Sequence, residues 1–294
     1  MSHVPRFPVY IPSKGRARAR HTFYTLAKLG VEAWVIVEEQ EFAAYAAVVP
    51  RQRLLVLDLA YQRNYDSCDP EADAAGKSKG SGPARNFAWE HARAAGAERH
   101  WLMDDNIWFF YRLNENVYGV VTDATVLRCM EDFTLRYENV ALAGPNYFMF
   151  VPRKYKYAPF QLNTRVYSCI LIRNDIPFRW RARFNEDTDL SLRVLKAGWC
   201  TVLFNAFLCH KEQSQKVRGG NTEIYRREGT LAKSRLLVRL HPDVCTIMRR
   251  WNRDHHLTNY SRFRANKLVR REGVTVPAGA DDYGMRLVPA VRSR

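Results

Sequence analysis

The sequence predicts an α/β fold, a mostly parallel mixed sheet flanked by helices and followed by a basic helical C-terminal appendage. Three observations carry this. Short apolar runs at 7–11, 33–37 and 53–57 alternate with helical stretches, the rhythm of parallel strands joined by crossovers. The first two runs end abruptly in polar residues, Ser13 and Glu38. With 294 residues, 47% of them hydrophobic, the chain has material for a sizeable core. The expected division is residues 1–222 for the sheet domain and 223–294 for a basic region packed on it.

In chain order, the strand at 7–11 turns through Pro12-Ser13-Lys14-Gly15-Arg16 into a helix over 17–29 that Gly30 stops. A buried strand at 33–37 ends at Glu38, a short helix covers 41–48, and 53–57 is the third strand. Residues 58–82 are polar and close on a Gly/Lys/Ser run, which reads either as a lid or as an unstructured loop. Pro83 suits the first turn of a helix reaching residue 95, and the strand into Asp104 follows. Asp123 caps a helix over 124–137. Strands follow at 140–143 and 166–172, separated by an aromatic, basic loop at 147–160. A helix over 186–197 stops at Gly198, a strand over 200–204 leads to His210, and basic helical segments run from Tyr225 to about Arg271. The last twenty residues read as a loose tail.

A net charge of +16 and a pI near 9.8 favour polyanionic partners: nucleic acid, nucleotide phosphates or an anionic membrane face. No apolar run approaches the roughly 20 residues that span a bilayer, and the N-terminus lacks the apolar stretch of a secretion signal. Six scattered cysteines without a C-x-x-C pair fit reduced thiols in a cytoplasmic protein, not a zinc site or disulfide frame.

Chemistry concentrates in four places. Trp101-Leu102-Met103-Asp104-Asp105-Asn106-Ile107 is an apolar strand delivering two acids and an amide to the carboxyl edge of a sheet, where open α/β folds bind ligands. Two adjacent acids repel unless positive charge lies between them, and a hard divalent cation is one resolution; an exposed turn is the plain alternative. Gly82-Pro83-Ala84-Arg85-Asn86 opens a helix, offering backbone N–H groups and Arg85 to a diphosphate. Asn185-Glu186-Asp187 puts carboxylates at a helix start, for chemistry or for simple capping. His210 precedes the cationic Lys216-Val217-Arg218-Gly219-Gly220-Asn221.

In this order the constellations resemble the GT-A fold of nucleotide-sugar-dependent glycosyltransferases, from about residue 8 to 221. More narrowly, Ile11-Pro12-Ser13-Lys14-Gly15-Arg16 with Met103-Asp104-Asp105-Asn106 is similar to the TET-associated glycosyltransferases, phage-type enzymes that attach sugars to 5-hydroxymethylcytosine in DNA. The resemblance implies that Pro12, Ser13, Lys14, Gly15, Arg16 and Glu38 hold the nucleotide of a UDP-sugar, with Arg85 and Arg218 on its phosphates. It implies Mn²⁺ or Mg²⁺ on Asp104, Asp105 and His210, with Asn106 departing from the family's Asp-X-Asp at the third position. Asp187 is the expected general base of an inverting transfer, with Glu186 the runner-up. The host cytoplasm of an infected bacterium is the implied setting.

For the acceptor, the charge points to DNA. Lys154, Tyr155 and Lys156 in the aromatic loop, and Arg249, Arg250 and Arg253 in the C-terminal region, are the expected DNA contacts. Trp108-Phe109-Phe110-Tyr111 reads equally as the pocket for a flipped base or as core. Two other readings remain open at this point: a GT-A transferase for protein or cell-surface polysaccharide, and a non-catalytic DNA-binding scaffold.

Overall fold

The computed structural model describes residues 4–114, 116–153, 157–211, 222–250 and 253–275. β1 (Val9–Pro12), α1 (His21–Lys28), β2 (Trp34–Val37), α2 (Phe42–Ala46) and β3 (Leu54–Val56) follow the expected alternation. The helix expected from residue 17 is divided: Ala17–Ala19 form a 3-10 turn, and α1 begins only after Arg20. Segment 58–82 is not an open loop. It folds into α3 (Leu59–Arg63) and α4 (Pro70–Ala74), each started by an aspartate whose carboxylate accepts an orphan N–H, Asp58 from Ala60 and Asp69 from Ala72.

α5 (Gly82–Ala94) leads into β4 (Arg99–Met103). β5 (Ile107–Asn114) and β6 (Val117–Val120) then pair as a hairpin absent from the sequence reading. After them come α6 (Thr125–Leu135), β7 (Val140–Tyr147), β8 (Phe160–Leu162), β9 (Cys169–Arg173), α7 (Glu186–Lys196), β10 (Cys200–Lys211) and α8 (Thr222–Leu240). The C-terminal appendage is helical only through α8. Residues 245–250 and 253–258, expected as helix, instead pair antiparallel as the hairpin strands β11 (Cys245–Arg250) and β12 (Arg253–Thr258). Its β-branched Thr246, Ile247 and Thr258 suit a pleated surface better than a helix, and these outweigh the interspersed arginines.

Among the described residues ten strands make the main sheet, in the order β3-β2-β1-β4-β9-β7-β10-β5-β6 with β8 paired to β10. β1 to β4 are parallel among themselves, and β9 enters antiparallel between β4 and β7. The period-two alternation of each strand fills two cores. Val9, Ile11, Trp101 and Met103 pack with α1, α2 and α6 on one face, while Tyr10, Ile36 and Leu102 pack with α5 and α7 on the other. α8 and the hairpin dock onto α7 through Leu192, Leu195, Leu237, Val244, Cys245 and Phe263. This is the mixed, mostly parallel sheet of a GT-A-like fold. Among the described residues, no helix is long and apolar enough to cross a membrane.

Candidate active site at the carboxyl edge of the sheet

β1 and β4 run parallel with Val9 opposite Trp101, so their ends bring Ser13 and Asp104-Asp105 to one edge. Asp105 turns toward the loop after β1: Ser13 Oγ donates to it at 2.7 Å and the Arg16 guanidinium donates to its other oxygen. That loop is braced by Tyr45, whose hydroxyl lies 2.7 Å from Ser13 Oγ and accepts the Arg16 N–H at 3.0 Å. Gly15, at φ +69°, takes the left-handed conformation that lets its N–H reach Glu41 at 2.6 Å. Lys14 Nζ meets Glu38 at the end of β2, 2.6 Å away. The residues expected to hold a nucleotide therefore sit together.

Asp104 turns the opposite way. One oxygen accepts from Arg85 at 3.0 Å; the other accepts from Ser168 Oγ at 2.6 Å and from Lys211 Nζ at 2.9 Å. Burial alone would raise Asp104, yet Lys211 and Arg85 hold it well below the usual carboxylate range. Burial wins at Asp105, whose carboxyl is pushed up despite Arg16. Ser168 stands at φ +64°, a conformation uncommon for a non-glycine and typical of positions held by a site.

Arg85 is buried in α5, lies 4.7 Å over the Trp180 ring, and bridges Asp104 to Glu186 at 3.5 Å. Gly82 sets the start of α5: a Cβ there would fall 1.9 Å from the Tyr65 hydroxyl. Asn86, next to Arg85, exchanges two hydrogen bonds with the Trp180 backbone and serves packing. At the start of α7, Asn185 sits at φ +51° and donates to the Lys233 carbonyl at 2.9 Å. The turn carries Glu186 inward, where it accepts from Ser81 Oγ at 2.9 Å and burial pushes its carboxyl up. Asp187 beside it is half-buried and accepts the Thr188 N–H at 2.7 Å. Its charge acts on Arg85, Arg165, Lys233 and His256.

The residues expected to cage a divalent cation do not converge. Both Asp104 oxygens and both Asp105 oxygens accept bonds from protein donors, and the two side chains diverge. Asn106 is buried. His210, one residue before Lys211 on β10, is exposed and stacked on Phe148 with ring centroids 5.5 Å apart. Among the described residues, no group of three His, Cys, Asp or Glu side chains is placed to hold a metal ion. The donor set at this edge thus fits a site already neutralised by its own cations.

Sequence reasoning missed Lys211, Ser168 and Ser81. No periodicity in the sequence marks Lys211. β10 continues past residue 204 to Lys211, and an irregularity in its register between His210 and Lys211 lets Lys211 rather than His210 meet Asp104. The aromatic run is split: Phe110 is core, Trp108 and Phe109 are exposed, and Trp108 stacks on His21 at 3.7 Å. Arg249, Arg250 and Arg253 are exposed on the β11–β12 hairpin. Lys154, Tyr155, Lys156 and Arg218 lie outside the described residues.

The mixed sheet, with paired acids and basic side chains at its carboxyl edge, has the form of a GT-A-like fold. The model of one family, described as TET-Associated Glycosyltransferase, matches residues 7–220. The chain belongs to that family and is a glycosyltransferase. No curated protein matches it.

Proposed function

We propose that the protein transfers a sugar from a UDP-sugar to the hydroxymethyl group of 5-hydroxymethylcytosine in DNA, with inversion, as part of phage-type DNA hypermodification. The observation that carries the reading is the convergence of the β1 loop, Arg85 and the Glu186-Asp187 turn on one sheet edge, all within the family match. In this reading residues 12–16 and Glu38 take the nucleotide, and the start of α5 with Arg85 takes the diphosphate. Asp187 accepts the proton of the acceptor hydroxyl as its oxygen bonds to the anomeric carbon. The bond from that carbon to the diphosphate breaks, and its electron pair leaves with UDP. Glu186 is engaged by Ser81 and Arg85, so it orients those groups and leaves the base role to Asp187.

The acceptor side is supported by charge and aromatic exposure. Phe148 and His210 are stacked and Tyr111 is tilted against them, next to exposed Phe109, and a base extruded from a duplex finds stacking partners on such rings. The test is UDP release from a panel of UDP-sugars with and without 5-hydroxymethylcytosine DNA. Release that requires the modified DNA is the expected result and identifies the sugar. Release indifferent to DNA sinks the DNA acceptor, and tight DNA binding without release from any donor sinks the transferase reading.

A further inference from the structure

We propose that Lys211 is the resident cation of this site, supplying beside Asp104 the positive charge that a divalent metal ion would otherwise bring, so that donor binding needs no metal. The inference rests on the UDP-sugar reading above for its ligand, but the placement of Lys211 stands by itself. The strand register shifts between His210 and Lys211, a local irregularity at the end of β10. Such bulges re-aim side chains next to sites. Beyond it, Lys211 Nζ lies 2.9 Å from Asp104 and 2.8 Å from Ser168 Oγ, and 5.3 Å from the centre of the Tyr147 ring.

The charges around it are interleaved. Arg16 holds Asp105, Lys211 and Arg85 hold Asp104, and Arg85 continues to Glu186. A metal ion entering at Asp104 would have to displace a buried ammonium or guanidinium, and either displaced group would be left desolvated without its partner. The sequence departure at Asn106 agrees with this. Against an Asp-X-Asp motif, the amide removes one negative charge and Lys211 adds one positive. Together they make the change of two charges that a divalent ion would make. Once UDP leaves, Lys211 and Arg85 are fixed cations near its diphosphate, and preorganised charge of this kind stabilises a leaving group without reorganisation.

The experiment uses the full chain, Mn²⁺ and UDP. Free Mn²⁺ is followed by electron paramagnetic resonance as protein is added, and UDP binding is measured by calorimetry in EDTA and in Mn²⁺. The expected result is an undiminished Mn²⁺ signal without UDP, and UDP affinity equal within twofold in the two media. Lys211→Met is expected to weaken UDP at least tenfold in EDTA, while Lys211→Arg keeps most of it and serves if the Met variant does not fold. One-to-one uptake of Mn²⁺ by the wild-type chain, or UDP binding that EDTA abolishes, overturns the proposal. If UDP binds in neither medium, the donor reading of the preceding section falls. The Mn²⁺ titration then decides on Lys211 alone: uptake overturns it and no uptake upholds it.

Discussion

Around Asp104 and Asp105 each carboxylate oxygen is engaged by a donor on a strand end or helix start, and Arg85 is buried. The β5–β6 edge of the main sheet and the separate β11–β12 hairpin are built differently. The edge exposes Phe109, Val117 and Val120, the hairpin Ile247 and Leu257 beside Arg249, Arg250 and Arg253. The first region is preorganised for a small charged ligand, whose recognition depends on placing a few groups to within a fraction of an ångström. The other two offer exposed area, charge and ring faces, which suits a large polyanion that brings its own shape. The contrast implies that substitutions at the sheet edge act on chemistry and stability, and those on the exposed face on acceptor affinity and salt dependence.

The largest expected effect is at Asp187. Asp187→Asn keeps shape and removes the base, so turnover with acceptor should fall by about 10²–10⁴-fold while DNA affinity stays unchanged. A variant that keeps wild-type turnover removes Asp187 from the mechanism and shifts attention to Glu186. Next is Arg85→Ala, which leaves one Asp104 oxygen without its donor, the other still held by Lys211 and Ser168, and leaves Glu186 buried beside Ser81. Breaking a buried pair from one side costs about 3–5 kcal/mol. At roughly 2–4 °C per kcal/mol in a chain of this size the melting temperature should drop by about 10 °C. A shift under 2 °C would mean that the sheet edge tolerates open charge and is not preorganised.

The contrast also explains what the sequence revealed. β1, β2 and β4 were legible because both faces of a parallel strand are buried, so they read as continuous apolar runs. Their polar stops then marked Ser13, Glu38, Asp104 and Asp105 directly. The α3 and α4 helices were legible in principle, through the capping aspartates and Pro70 at a first-turn position, but the long Gly/Lys/Ser run obscured them. β5 was hidden because aromatic residues occupy both of its faces, erasing the alternation that marks a half-buried strand. Lys211 was hidden behind His210: a motif reading favours the residue type that ligates metals, whereas the backbone decides which neighbour faces the acid.

An intermediate effect concerns acid. His100 is fully buried in β4 with Nδ1 2.5 Å from Asn174, and burial pushes it down to about 4; burial, with Arg165 and Lys233, does the same to His256. Their folded values lie below the unfolded value near 6.5, so between about 4 and 6.5 the unfolded chain binds more protons. Stability from these groups is therefore lost as pH falls through that window. Asp105 and Glu186, shifted upward by burial, act in the opposite sense: they favour the folded chain as acid neutralises them. The difference between wild type and His100→Gln is what isolates the histidine. The variant's melting temperature should fall less steeply from pH 6.5 to 4, by the equivalent of about 2 kcal/mol. Parallel profiles for the two proteins would show that His100 titrates normally in the fold.

The smallest effect per residue belongs to the hairpin, and it bears most directly on the exposed face. Arg250 and Arg253 are directly opposite across β11 and β12, and Arg249 is opposite Asp254. Like charges in that position destabilise a strand pair by up to about 1 kcal/mol, so an anion between them would relieve the hairpin. Arg250→Ser and Arg253→Ser should each weaken DNA binding alike on all sequences. Each should reduce the slope of log affinity against log salt by about 0.9 if one phosphate contact is lost. UDP affinity should not change, because Arg250 and Arg253 are exposed where the two strands end, whereas it is His256, further along β12, that comes near Asp187. Folded stability should hold or rise slightly as the repulsion is removed. A salt slope identical to wild type would move the DNA contact away from the hairpin and toward the aromatic row around Phe148, where Phe148→Ala would then have to cost the affinity instead.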